Sequence, residues 1–128
     1  MREDLTTPDS RRRRALVVED QHDTAVTFAL LLADMGLRVE YLTDSRLAMD
    51  VAKQFKPEIV FLDIGLPHID GYALAAMLRK EVGSKVPIVA ITGYGTDQDR
   101  KRSREAGFDA HILKPVDMAL LGSILKQF

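Results

Sequence analysis

The chain has 128 residues, of which 46% are hydrophobic and 29% are charged, and its 18 basic and 19 acidic side chains leave a formal charge of −1. This composition is typical of one globular domain, and the balanced charge gives no reason to expect direct binding of nucleic acid. Because the sequence has no cysteine, no apolar leader and no run of 18 apolar residues, we expect no disulfides, no thiol nucleophile, no signal peptide and no membrane span. A cytoplasmic location is the expectation.

The N-terminal residues differ in character from the rest. Residues 1–13 are predicted to form a flexible tail, because Thr-Thr-Pro-Asp-Ser interrupts them and apolar residues begin to recur only at Ala15. The folded domain is predicted to occupy residues 14–128. We interpret the basic run from Arg11 to Arg14 as a solvated flank of the first strand, with an anchor for phosphate or a membrane surface as the alternative.

Short runs rich in β-branched residues recur along the chain at strand length. They are 15–18, 39–42, 58–63, 87–92 and 111–113. Several of them are apolar without alternation, which is typical of strands that helices cover on both faces.

Helical patterns separate these runs. The first has apolar residues at helical spacing from Ala25 to Leu32, followed by Gly36 where a helix takes a left-handed cap. The second and third repeat an apolar residue every four positions, at Leu47, Val51 and Phe55 and then at Leu74, Leu78 and Val82.

Two more helices are predicted towards the C-terminus. The fourth, residues 96–107, is almost wholly polar and ends at Gly107, so it should be a weakly anchored surface helix. The fifth runs from about Asp117 to the end of the chain, with one apolar stripe formed by Leu120, Leu121, Ile124, Leu125 and Phe128.

Alternation of strands and helices predicts the fold class. Five strands joined by helical crossovers indicate a single doubly wound (βα)5 domain of the α/β class, with a parallel sheet covered by helices on both faces. Ligands of such open sheets bind outside the carboxyl ends of the strands, which is where functional residues are expected.

The residues at these strand ends form a chemically consistent set. Glu19 and Asp20 follow strand 1, Asp63 and Thr92 end strands 3 and 4, and Lys114 follows strand 5. Three converging carboxylates repel one another unless a cation lies among them, and hard oxygen ligands suit Mg²⁺. A carboxylate nucleophile, a metal ion, a lysine and a hydroxyl are the groups needed to receive a phosphoryl group.

Each of these residues also has an ordinary structural interpretation. An acidic residue at a strand end is most often a solvated terminus or a helix N-cap, a threonine there is often a turn residue, and a lysine usually faces solvent. Their joint placement at one edge of the sheet favours a site, since ordinary turn residues would be scattered over both edges.

Four motifs carry a family resemblance. VVED (17–20), VFLDIGLPHIDG (60–71), AITGYG (90–95) and LKP (113–115) stand in the order and spacing of response-regulator receiver domains of two-component signalling. The chain resembles that family over residues 14–128, and its motifs are most similar to those of receivers of hybrid sensor kinases or of stand-alone receivers. The resemblance implies a flavodoxin-like sheet of strand order 2-1-3-4-5.

The resemblance also implies a reaction and a cofactor. It implies that Asp63 accepts a phosphoryl group from a histidine kinase or a histidine phosphotransfer protein, with Mg²⁺ as cofactor. The metal ligands would be Asp20, Asp63 and the main-chain carbonyl of Gly65, with Glu19 acting through a bound water. Glu19 replaces the more frequent aspartate, and Gly65 has no side chain to position an attacking water.

A switch and an output surface follow from the same resemblance. Thr92 and Lys114 would contact the phosphoryl oxygens, and the Lys114–Pro115 peptide would be cis. His111 stands where the family usually has an aromatic residue, so Thr92 and His111 are expected to relay the signal. The face made by the fourth helix, the fifth strand and the fifth helix would then bind a partner or self-associate, and the downstream partner is left open.

Two other functions are weighed against this interpretation. A pseudo-receiver that binds partners without phosphorylation usually lacks an acidic residue or the lysine, and this chain keeps them all. A phosphatase of the haloacid dehalogenase type needs a second acid two residues after the nucleophile, where this chain has Gly65. We therefore expect no enzyme activity beyond phosphorylation and dephosphorylation of the chain's own aspartate.

Overall fold

A computed structural model of the chain describes residues 12–65, 70–93, 101–102 and 104–128. Five strands form one parallel sheet in the order β2-β1-β3-β4-β5, which confirms the predicted topology. The strands are β1 (Arg14–Val18), β2 (Arg38–Leu42), β3 (Ile59–Asp63), β4 (Ile88–Thr92) and β5 (Ala110–Leu113).

Four helices are complete in these ranges. They are α1 (His22–Asp34), α2 (Ala48–Phe55), which a short 3-10 helix (Ser45–Leu47) precedes, α3 (Gly71–Val82) and α4 (Met118–Gln127), the fifth helix of the prediction. The predicted fourth helix lies partly outside the described residues, but residues 101, 102, 104 and 105 are helical. Gly36 and Gly107 have φ of 96° and 98°, as predicted for helix caps. Within the described ranges, no helix combines the length and apolarity needed to cross a bilayer.

The sheet separates two apolar cores. Helices α1 and α4 pack on one face through residues such as Phe28 and Leu121, and α2 and α3 pack on the other through residues such as Phe55 and Leu74. All five residues of β3 and of β4 are buried, because both faces of these central strands are covered. This burial explains why their sequences are apolar without alternation.

Two predicted apolar stripes are only partly correct. Leu47 lies in the 3-10 helix and is 48% exposed, whereas Ala48 of α2 is buried. In α4, Leu121 is buried while Leu120 is 42% exposed. Successive residues of a helix point about 100° apart, so two neighbouring leucines do not both face the sheet.

Of the basic run at the start of β1, Arg11 lies outside the described residues, and Arg12, Arg13 and Arg14 are only partly exposed and do not form the solvated flank that the sequence predicted. Three of them donate side-chain hydrogen bonds to main-chain carbonyls: Arg12 to Gly36 at 3.2 Å, Arg13 to Leu125 at 3.2 Å and Arg14 to Lys56 at 2.8 Å. These carbonyls lie at the C-terminal ends of α1, α4 and α2, where unpaired carbonyls and the helix dipole favour a cation. We call these residues the arginine triplet; it ties three helix ends to the amino edge of the sheet.

Candidate functional site

The loops that follow β1, β3, β4 and β5 surround a cleft at the carboxyl edge of the sheet. The cleft has a volume of about 530 Å³ and is lined by Asp20, Gln21, Asp63, Ile64, Gly65, Tyr72, Thr92, Gly93 and Lys114. Glu19 lies beside it, in contact with Lys114, and is 1% exposed. The structure therefore brings together every predicted phosphoryl-site and metal-site residue.

Lys114 connects the two buried carboxylates. Its Nζ donates to Glu19 Oε1 at 2.5 Å and to Asp63 Oδ2 at 3.1 Å. The Lys114–Pro115 peptide is cis, as predicted, and the main-chain N–H of Lys114 donates to the carbonyl of Thr92 at 2.8 Å. The lysine therefore faces the acidic residues rather than solvent.

Asp63 is the last residue of β3 and is 5% exposed. The main-chain N–H of Gly65 donates to its Oδ1 at 2.8 Å. Burial by itself raises the pKa of Asp63, but hydrogen bonds from Glu19, from Gly65 and from Lys114 outweigh it and hold the pKa below its ordinary value. Asp63 is therefore an ionised carboxylate at neutral pH, as a nucleophile requires.

Glu19 behaves in the opposite way. Burial, and then its hydrogen bond with Asp63, raise the pKa of Glu19 from 4.5 to about 7, although Lys114 acts against the shift. Burial acts to lower the pKa of Lys114, but its hydrogen bonds with Glu19 and Asp63 raise that pKa above its ordinary value. Near neutral pH, Asp63 is therefore ionised, Lys114 is protonated, and Glu19 is the carboxyl group that gains or loses a proton.

The acidic cluster fits a hard divalent cation. Glu19, Asp20 and Asp63 each offer one carboxylate oxygen, and these oxygens lie within 4.8 Å of one another. Carboxylate and carbonyl oxygens are the ligands that Mg²⁺ takes in proteins, and three converging acids gain from a cation among them. The donor set that the chain presents is therefore suitable for Mg²⁺.

The predicted switch residues lie on one face of the sheet. Thr92 is the last residue of β4 and is 2% exposed, and His111 is a half-buried residue of β5. In the register, Ala90 is opposite His111 and Thr92 is opposite Leu113. Because side chains two apart on a strand share a face, Thr92 and His111 both face the side of the sheet on which Ala90 packs with Phe108.

Two features of the site were missed by the sequence analysis. Tyr72, in the first turn of α3, lines the cleft beside Asp63. A Cβ atom on Gly71 would lie 2.5 Å from Ile64 Cα, so only glycine lets α3 start against the residue that follows Asp63. Two sequence signals could have indicated these features. Asp70 and Gly71 mark the start of a helix, since Asp70 caps α3 by accepting from the Tyr72 N–H, and the aromatic Tyr72 follows them directly.

A doubly wound parallel sheet with a lysine-linked acidic cluster at its carboxyl edge defines a domain of the flavodoxin-like class. The sequence model of the response regulator receiver domain matches residues 15–126, and the chain belongs to this family. Domains of this family serve two-component signalling, are generally signalling modules rather than enzymes, interact with histidine kinases and typically bind Mg²⁺ at an acidic pocket.

Individual relatives and a solved structure are similar over most of this chain. The chain is 29% identical to an uncharacterised 14.6 kDa protein of Leptolyngbya boryana, over 88% of this chain and 87% of that protein. It is 30% identical to the osmosensing histidine protein kinase SLN1 of Saccharomyces cerevisiae, over 90% of this chain but only 10% of the kinase. A CheY-like receiver domain from Methylobacillus flagellatus superimposes with a TM-score of 0.79 at 30% identity, covering 91% of this chain and 98% of that one.

Proposed function

We propose that this receiver domain accepts a phosphoryl group on Asp63 from a histidine kinase or a histidine phosphotransfer protein. The observation that carries the proposal is the state of Asp63: a buried carboxylate that Lys114 and the Gly65 N–H keep ionised beside two other acids. We assign the receiver to residues 14–128, with Arg12 and Arg13 attached to it by side-chain hydrogen bonds. A cytoplasmic location, where such donors present their phosphohistidines, is part of the proposal.

The proposed reaction uses the carboxylate as nucleophile. A carboxylate oxygen of Asp63 attacks the phosphorus of the phosphohistidine, an O–P bond forms, and the P–N bond breaks with its electron pair passing to the imidazole nitrogen. Lys114 is within hydrogen-bond distance of Asp63 and offers its ammonium to the incoming phosphoryl oxygens. Thr92 offers its hydroxyl at the end of the neighbouring strand.

A magnesium ion would be held by Asp20, Asp63 and the Gly65 carbonyl, with Glu19 acting through a water. When bound, the ion would neutralise negative charge on the phosphoryl group during its transfer. Since Glu19 has a pKa of about 7, it holds or gives up a proton according to the charge around it. A bound cation would favour the ionised form of Glu19, so metal binding and loss of the Glu19 proton would be linked.

The signal would leave the site through Thr92 and His111. A phosphoryl group on Asp63 offers the Thr92 hydroxyl a charge-assisted hydrogen bond, and movement of Thr92 frees space for His111 beside β5. The face formed by the 96–107 region, β5 and α4 would then bind a downstream protein or a second copy of the chain. We propose no direct contact with nucleic acid.

Incubation with acetyl phosphate and Mg²⁺, followed by intact mass spectrometry, tests the function. The parent should gain one alkali-labile phosphoryl group, Asp63→Asn should gain none, and Asp23→Asn, an exposed acid of α1, should behave as the parent. Undiminished labelling of Asp63→Asn would disprove the assignment. An unlabelled parent would indicate a pseudo-receiver, and turnover of added phosphomonoesters would indicate a phosphatase.

A further inference from the structure

Tyr72 has two neighbours of different kinds. It lines the cleft with Asp63, Thr92 and Lys114, and its ring also contacts Arg102 and Phe108, which come after β4 in the chain. The Phe108 ring lies edge-on to the Tyr72 ring, with centroids 6.1 Å apart, and Phe108 is 5% exposed. Tyr72 thus contacts both the cleft and the stretch that leads into β5, namely residues 101–108.

Arg102 contacts the first turn of α3 and its N-cap. Its guanidinium carbon lies 4.1 Å from the centroid of the Tyr72 ring, and its Nη2 lies 3.7 Å from Asp70 Oδ2. Asp70 in turn accepts a hydrogen bond from the Tyr72 N–H at 3.0 Å. A planar cation over an aromatic face, steered by a carboxylate, is a directional contact that a simple surface ion pair does not provide.

The end of this stretch is fixed separately. Arg79 of α3 donates to the Gly107 carbonyl at 3.0 Å and to Asp109 Oδ2 at 2.6 Å, and its side chain is only 22% exposed. Arg102, by contrast, is 63% exposed. The hydrogen bonds of Arg79 with Gly107 and Asp109 are therefore the stronger contact between α3 and this stretch. The stacking of Arg102 on Tyr72 is weaker, so a change in the cleft can alter it.

We propose that Tyr72 is a positioning residue that couples the cleft to residues 101–108 through Arg102. With the cleft empty, Arg102 stacks on Tyr72 and favours the arrangement seen here; a group bound on Asp63 fills the cleft beside the Tyr72 ring and weakens the stack. The coupling rests on the proposed function, since it takes the occupant to be a phosphoryl group. It is distinct from the route through Thr92 and His111, because it runs over α3 rather than β5.

Single substitutions separate this contact from general effects on folding. Arg102→Gln removes the cation, Tyr72→Leu removes the ring, and Tyr72→Phe keeps the ring without the hydroxyl. Arg104→Gln is the matched control, because Arg104 is an exposed arginine two residues further on in the same helical stretch. Arg102→Lys tests rescue by a cation that lacks the planar fork.

The first measurement is amide hydrogen exchange of residues 101–108 in the unloaded protein. Exchange should be about two- to fivefold faster in Arg102→Gln and in Tyr72→Leu than in the parent, the range expected for an exposed cation–π contact. Tyr72→Phe and Arg104→Gln should match the parent, and Arg102→Lys should fall between. Parental exchange rates in Arg102→Gln would overturn the proposal.

The second measurement is the affinity for beryllofluoride with Mg²⁺, followed by fluorine NMR. Because the stack favours the unloaded arrangement, Arg102→Gln should bind beryllofluoride about two- to fivefold more tightly, and adding Tyr72→Leu should give no further gain. Equal or weaker binding by Arg102→Gln, or additive effects, would overturn the coupling. A parent that binds no beryllofluoride would contradict the proposed function instead, and the exchange rates of the unloaded proteins would still decide whether the stack holds residues 101–108.

Discussion

The buried carboxyl groups of Glu19 and Asp63 share one partner, the Lys114 ammonium, and their two pKa values move in opposite directions. The ammonium of Lys114 contacts both residues, at 2.5 Å and 3.1 Å. Below about pH 7 the pair therefore carries mainly one negative charge, which lies on the proposed nucleophile, and Glu19 loses its proton as the pH rises through about 7. The proton on Glu19 limits the charge repulsion that two buried carboxylates would otherwise create.

The stability of the metal-free protein should fall as the pH rises through the titration of Glu19. The folded state raises the pKa of Glu19 from 4.5 to about 7, so it binds the proton more tightly than the unfolded chain does. This contribution to stability is present below pH 4.5 and is lost as the pH rises to about 7, by at most about 3 kcal/mol. Asp63, whose pKa is lowered from 3.8, has the opposite dependence, but only in more acid solution.

Glu19→Gln should remove the loss of stability that accompanies ionisation of Glu19. Urea denaturation with a chelator present, across the range from pH 5 to about pH 8, measures the free energy of unfolding of both proteins. The variant should be the more stable protein at the alkaline end of this range and should differ least at the acid end. An equal fall in stability in parent and variant would mean that Glu19 is not the group responsible.

Removal of Asp20 should weaken magnesium binding. Mg²⁺ should raise the melting temperature of the parent by mass action on the folded state, and Asp20→Ala should reduce the affinity by about tenfold or more. Titration calorimetry and thermal melts measure the two effects. Asp23→Ala serves as control, because Asp23 lies outside the acidic cluster. Parental affinity in Asp20→Ala would show that the ligand assignment is wrong.

Loss of either switch residue should interrupt transmission from the site. In the parent, beryllofluoride should change hydrogen exchange in β5 and α4 as well as in the loops around Asp63. Thr92→Ala and His111→Ala should each confine the change to those loops, whereas Thr92→Ser, which keeps the hydroxyl, should preserve it. If both alanine variants transmit the change to α4 as the parent does, the route through Thr92 and His111 is excluded.

A methyl group at Gly71 should disturb the site from outside it. The Cβ of Gly71→Ala would lie 2.5 Å from Ile64 Cα, so the main chain next to Asp63 has to shift. We expect a loss of about 1–3 kcal/mol in the free energy of unfolding and slower labelling by acetyl phosphate. Gly122→Ala is the matched control, because its Cβ would meet no atom within 4 Å and alanine favours the interior of α4 by about 0.5–1 kcal/mol.

The sequence predicted most of the fold and the identity of the site residues, because strand ends of a parallel sheet share one edge. Asp63 and Lys114 could be placed in this way although they are 51 residues apart. The raised pKa of Glu19 could not be predicted from the sequence. It depends on burial and on contacts with Asp63 and Lys114, which only the folded chain supplies. Nor could the stacking of Arg102 on Tyr72, because both residues look like ordinary surface positions in a polar helical pattern and a helix N-terminus.

The arginine triplet has a consequence for how the chain folds. Arg13 and Leu125 are 112 residues apart, so their hydrogen bond joins regions close to the two ends of the chain. Closing such a long loop costs entropy that is recovered only after the intervening strands have paired. Helix α4 is therefore expected to dock late in folding, and the hydrogen bond from Arg13, which precedes β1, adds to the core packing of Leu121 that attaches this helix. Removal of residues 1–13 should fray the C-terminal helix while the central strands stay protected, which identifies α4 as a separately opening unit of the domain.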